Sequence, residues 1–200
     1  GVQILVHAQG DRATREVLDT FERVLNNSSN KGHRHRIEHS ALMEKEEIIR
    51  AADLGISISF HMNHVKYYGQ RLRDEIIGQE RTQYLMPARS AHGAGIRISL
   101  HADSPMFPPN PLDLVQTAVT RMALTGEVIN EPEKLDLRYA LRAVTIDAAW
   151  QLGIDDQIGS LEVGKLADFT ILGQNPFDVN PKQLNAIPII DTWLSGTSTN

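Results

Sequence analysis

Apolar residues in this chain fall in short β-rich runs separated by stretches of helical period, and the two patterns predict different elements. Gln3 to Ala8, Arg34 to His39, Gly55 to Phe60 and Ile96 to Ala102 read as strands. After the first, Ala13, Val17, Leu18, Phe21, Val24 and Leu25 recur at helical spacing behind Asp11, a residue suited to cap them, and Asn26 to Gly32 ends the helix. A second helix is predicted over Met43 to Leu54, burying Ile48, Ile49, Ala52 and Leu54, with Gly55 as its stop. Pro87 suits the first position of the next helix, which Gly93 and Gly95 end. Beyond the proline-rich SPMFPPNP loop, helices are expected over Leu112 to Thr125 and Leu137 to Leu152. Strands alternating with helices predict an α/β fold around a parallel sheet.

Two stretches depart from this alternation. HMNHVKYYGQRLRDEIIGQERTQYL, between Phe60 and Met86, is too polar and too long for a strand-to-helix turn and reads as a functional or mobile loop. Past Gly153 the helical period stops: IGSLEVGKLADFTIL reads as a hairpin around Gly164 and IPIIDTWLSG as a further strand. Two parts follow, an α/β domain over 1–152 and a small β-module over 153–200. A strand that begins almost at residue 1, with no turn or cap before it, reads as a stretch of something longer.

Composition narrows the chemistry. With 41% hydrophobic and 22% charged residues the chain has the make-up of a globular protein. The net charge of -5, with Lys and Arg scattered among acids, offers no stripe to a phosphate backbone, so nucleic acid is not an expected partner. No apolar run is long enough to span a bilayer and the opening lacks the form of a signal peptide, so a cytoplasmic location is the default and no membrane partner is expected. There are no cysteines, which leaves His, Asp and Glu as the available metal ligands.

Three such residues end predicted strands: His7, His39 and Asp103. One βα unit of a (β/α)8 barrel takes about 30 residues, and catalytic groups come from the C-terminal edge of its strands. His7 and His39 are one such unit apart, and His39 and Asp103 two. An amide resists neutral water, whereas a zinc ion acidifies water to a pKa of about 7 and polarises the carbonyl. Imidazole and carboxylate hold such an ion, and a carboxylate beside it can pass a proton to the leaving nitrogen, the role assigned to Asp103. Singly, each residue has an ordinary reading: a strand-end His is usually hydrogen-bonded or solvated, and Asp103 before Ser104 and Pro105 suits a turn. Their coincidence at three strand ends favours the metal reading.

VHAQGDRA, HRHRIEHS, ISLHADSP followed by PLDLVQTAVTR, and GSLEVGKLADFTIL resemble successive blocks of the amidohydrolase superfamily, closest to its amidohydrolase-3 type. The resemblance implies the C-terminal half of a (β/α)8 TIM barrel, strands five to eight, followed by a β-sandwich segment. It implies a metal-dependent hydrolase of small molecules, acting on carbon-nitrogen bonds of amides, ureas or cyclic imides, with zinc the expected ion. His7, His39 and Asp103 become the ligands of strands five, six and eight. The family's His-x-His pair and bridging Lys or Glu have no counterpart here. Two other readings follow: an incomplete barrel that needs another copy or its missing N-terminal half, and a deaminase of the same superfamily.

His61 and His64 lie where the resembling family places substrate contacts and read equally well as exposed loop residues; His101 shares a strand face with Asp103, to touch ligand or pack. His33 and His35 read as a solvated basic turn, and His92 as a helix-surface residue. Glu38 is expected on the helix side of its strand, paired with Arg34 or Arg36; Arg89, Tyr67 and Tyr68 read as surface and packing residues, with shaping of a substrate pocket or lid as the alternative.

Overall fold

Four strands lie side by side in chain order and all run parallel: β1 (Leu5–Ala8), β2 (Arg36–His39), β3 (Ser57–His61) and β4 (Ile98–His101). The computed structural model describes residues 2–26 and 32–199, so most of the expected Asn26 to Gly32 break lies outside the described residues. Each strand begins about two residues later than its apolar run. Ile37, Ile58, Phe60, Ile98 and Leu100 point to one face and are sealed from solvent by helices. These helices are α1 (Asp11–Leu25), burying Leu18, Phe21 and Leu25, and α2 (Lys45–Asp53), burying Ile48 and Ala51.

The register sets the other face. Leu5, Arg36 and Ser57 stand in one row, His7, Glu38, Ser59 and Ser99 in the next, and His61 opposite His101 in a third. Apart from Leu5 this inner face is polar. Glu38 therefore lies on the inner side, opposite to the expectation, because it alternates with Ile37, which the helices claim. Its expected partner holds: Arg36 pairs with it at 2.6 Å.

Between β3 and β4 the expected long loop is largely helical. A π-helical turn (His64–Tyr68) leads to α3 (Gly69–Arg71), a second π-turn (Leu72–Ile76) and α4 (Gly78–Thr82). The polar sequence that suggested a loop is the solvated side of these turns, carrying pairs such as Arg71–Glu75. A Cβ on Gly69 would lie 2.8 Å from Ile129, so this close approach requires glycine.

Helix boundaries differ most from those the sequence predicts. Gly10, not Asp11, occupies the N-cap of α1, and the Asp11 carboxylate accepts from the Arg12 N–H at 2.8 Å. Ile49 and Val24 face solvent. α5 covers Ala88–Gly93 behind Pro87, and α6 runs only from Pro111 to Thr120 because Arg121 adopts a left-handed conformation. The expected helix 137–152 is two, α7 (Leu137–Ala143) and α8 (Ile146–Leu152), broken at Val144 and Thr145. The expected hairpin around Gly164 is a turn, held by Ser160, Glu162 and Lys165; β5 (Phe169–Leu172) pairs instead with β6 (Ile189–Leu194), and β6 with β7 (Thr197–Ser198), all antiparallel. Among the described residues no helix is long and apolar enough to cross a membrane.

Arg121 is completely buried, and its guanidinium donates to the carbonyls of Leu85 (2.7 Å), Met86 (3.0 Å) and Ile129 (3.0 Å). Burial pushes it down to about 10, with Glu133 opposing, so it stays charged at neutral pH. Arg121→Ala leaves three buried carbonyls without donors and is expected to cost about 3–5 kcal/mol of folding stability, read from urea unfolding. A loss below about 1 kcal/mol would mean these carbonyls find other partners.

Candidate functional site

Strand alternation alone would not assemble a site at this sheet edge. His39 follows Glu38 and belongs, by parity, with Ile37 on the helix side; its register partner on β1 is Ala8. The chain leaves the extended region there, with φ 75° at His39 and 45° at Ser40. As a result the His39 ring lies 4.5 Å from that of His7, 5.0 Å from His101 and 5.7 Å from His61, all residues of the inner face. Left-handed backbone at non-glycine residues is strained, at a cost of order 1–3 kcal/mol each. Three bonds clamp it: Ser40 N–H to the Ala8 carbonyl (2.9 Å), Ala41 N–H to Gln9 (3.0 Å) and Met86 N–H to Ala41 (2.9 Å). Asp103, two residues past β4, has φ 57° and turns in the same way.

The structure brings together His39, His61 and Asp103, whose ligand atoms all lie within 4.8 Å of one another. Among the described residues this is the one such cluster of three or more metal-competent side chains. His7 is exposed and packs against His39 ring edge to face, outside that cluster. Around it, His64 meets His61 at 4.2 Å and His101 stacks on His61 at 5.0 Å. Gln9 Nε2 lies 2.7 Å from His64 Nε2. A cavity of about 360 Å3 opens beside the cluster, with Arg36, Glu38, His39, His101 and Asp103 in its wall.

Buried polar atoms usually have partners, and here several do not. Nδ1 of His39, both ring nitrogens of His61, Nδ1 of His64 and Nε2 of His101 are buried without a hydrogen bond. Burial pushes His61 down to about 3, with His64 and His101 adding to the effect, and His101 down to about 4, with His39 adding. His39 and His64 are lowered as well, again by burial first. These four imidazoles are therefore neutral at pH 7; the Gln9 amide donates to His64 Nε2 and so occupies the lone pair of that ring. Two imidazoles and a carboxylate with unpartnered nitrogens fit a divalent ion of the zinc kind.

His33 and His35 lie at the opposite edge and are not the solvated turn expected of them. Both are buried, with rings stacked at 4.2 Å; Ile4 N–H donates to His35 Nδ1, His35 N–H to His33 Nδ1, and His33 Nε2 to the Leu54 carbonyl. A backbone N–H occupies the Nδ1 lone pair of each ring, which argues against a metal role for either. His92 is half-buried against Tyr139, and Arg89 is exposed. Tyr67 is partly exposed and stacks on Phe107, itself 5.5 Å from His61. The sequence reading missed Gln9, Arg36 and Phe107 near the site. For Gln9 a signal existed, since it stands two residues after His7 and so shares its face.

The sequence matches the amidohydrolase family over residues 1–199. It is 30% identical over 196 residues to N-substituted formamide deformylase of Arthrobacter pascens, covering 98% of this chain and 36% of that protein. It is 32% identical over 200 residues to protein LONG AFTER FAR-RED 3 of Arabidopsis thaliana, covering 98% of this chain and 34% of that protein. The crystal structure of an uncharacterized metal-dependent hydrolase from Pyrococcus horikoshii superposes with a TM-score of 0.76 at 27% identity, over 90% of this chain and 35% of that one. The chain thus spans about a third of the length of these relatives.

The depressed histidines make stability depend on pH. An unfolded histidine titrates near 6.5, well above His61 and His101 in the fold, so below that pH the unfolded chain binds more protons. Stability is expected to be flat above about pH 7 and to fall from about 6.5 towards 4, read as urea midpoints across that range. A His101→Leu variant is expected to show a shallower fall.

Proposed function

The chain belongs to the amidohydrolase family, and we propose that it forms the metal-holding part of a hydrolase that cleaves carbon-nitrogen bonds in small amides or cyclic amides. The observation that carries this reading is the meeting of His39, His61 and Asp103, with unpartnered imidazole nitrogens, at the C-terminal edge of a parallel sheet. In this reading β1 to β4 are strands five to eight of a (β/α)8 barrel within residues 1–152, whose catalytic groups come from that edge, and residues 153–200 are a β-sandwich segment. Exposed apolar Leu5 on β1, with exposed Val2 and Ile4 in the residues before it, supports further polypeptide on that side.

His7, His39 and Asp103 are the residues proposed to face the ion. A divalent ion there supplies a Lewis acid that polarises a carbonyl and makes water nucleophilic at neutral pH. The Asp103 carboxylate, exposed to the cavity, would accept a proton from the attacking water and return it to the departing nitrogen. His101 and His64 present uncharged rings to the substrate side, and the Arg36–Glu38 pair gives the cavity wall a fixed dipole. The formamide deformylase supports a small N-substituted amide as the substrate class.

The purified chain is expected to retain about one divalent ion after dialysis, measured by elemental analysis, and His39→Ala or Asp103→Ala to lose it. Failure of the chain to take up zinc, cobalt or manganese from a molar excess would sink the proposal. In the protein of which this chain is a part, Asp103→Asn is expected to slow amine release from N-substituted formamides at least about 100-fold.

A further inference from the structure

We infer that His61 is a direct ligand of that ion, sharing it with His39 and Asp103; this rests on the metal-dependent reading above and changes the part His61 plays in it. Sequence position alone assigned His61 to substrate contact or to an exposed loop. Its exposure is 0%, which leaves it no face to offer a substrate or solvent.

Three observations carry the inference. The first is convergence, since His61 contributes one of the three ligand atoms that lie within 4.8 Å of one another. The second is an unmet requirement. A neutral imidazole has one N–H and one lone pair, and both nitrogens of His61 are buried without a partner. Unmet polar atoms in a sealed interior are costly, and coordination answers the lone pair. The third is rigidity. His61 ends β3, which pairs with a strand on each side, and its ring is fixed by His64 edge to face, by His101 in a stack and by Phe107. A ligand held this way needs no reorganisation to bind.

His101 is the natural control. It stands opposite His61 in the register and also has a buried, unpartnered Nε2, yet its nitrogens do not join the cluster.

The test is titration of the chain with Co2+, followed by visible absorption and by competition with a chelator, for the wild type, His61→Ala and His101→Ala. The inference expects His61→Ala to weaken Co2+ binding by about 100-fold or more and His101→Ala, which removes only a stacking neighbour of the ligand, by about tenfold or less. Wild-type affinity in a folded His61→Ala chain would overturn it and leave the metal reading standing. Equal losses in both variants would also overturn it, because burial and not coordination would then be the cause. A wild-type chain that takes up no Co2+ fails the metal reading itself. Should His61→Ala not fold, the wild-type chain labelled with 15N-histidine decides: a His61 ring nitrogen must shift on Zn2+ addition, and shifts confined to His7 and His39 refute the assignment.

Discussion

Everything at the candidate site depends on a backbone turn. The left-handed pair His39 and Ser40 reverses the direction that strand parity dictates, and main-chain hydrogen bonds to Ala8 and Gln9 keep it from relaxing. Because β1 supplies those carbonyls, the position of His39 depends on β1 and β2 staying in register. Sheet pairing and site geometry are one construction here, and a slip of a single residue between the two strands would undo both.

The inner face divides the work between rows. In the lower rows Arg36 pairs with Glu38, Ser57 donates to the His35 carbonyl, and Gln151 of α8 donates to the Ile58 and Arg97 carbonyls while its oxygen accepts from Ser99. The upper row, with His61 and His101, is left with unpartnered nitrogens. Low dielectric around the upper row keeps its imidazoles neutral, and neutral imidazole is the form that binds metal.

Strands and their order were legible in the sequence because apolar runs such as GISISF report burial directly. His39 and Asp103 were legible as candidates from their spacing, although the reason they meet was not, since a conformational reversal leaves no trace in residue type unless glycine occupies it. The burial of His61 was not legible, because the rings that pack against it, Phe107 and His64, arrive from outside its strand. Glu38 was placed on the wrong face by assuming that His39 obeys alternation. The 64–82 helices were hidden because turns exposed on one side read as loop, and the Leu137 to Leu152 break because nothing in VT resembles a stop signal.

Arg121 reads only carbonyl oxygens, a group that every amino acid presents alike. Its hold on residues 85, 86 and 129 therefore constrains the path of two chain segments while remaining blind to their side chains. Over evolutionary time those positions are free to exchange one apolar residue for another of similar size, whereas the arginine has no substitute with the same reach and fork. Drift in the neighbours around a fixed cation is the pattern such an arrangement should leave among descendants.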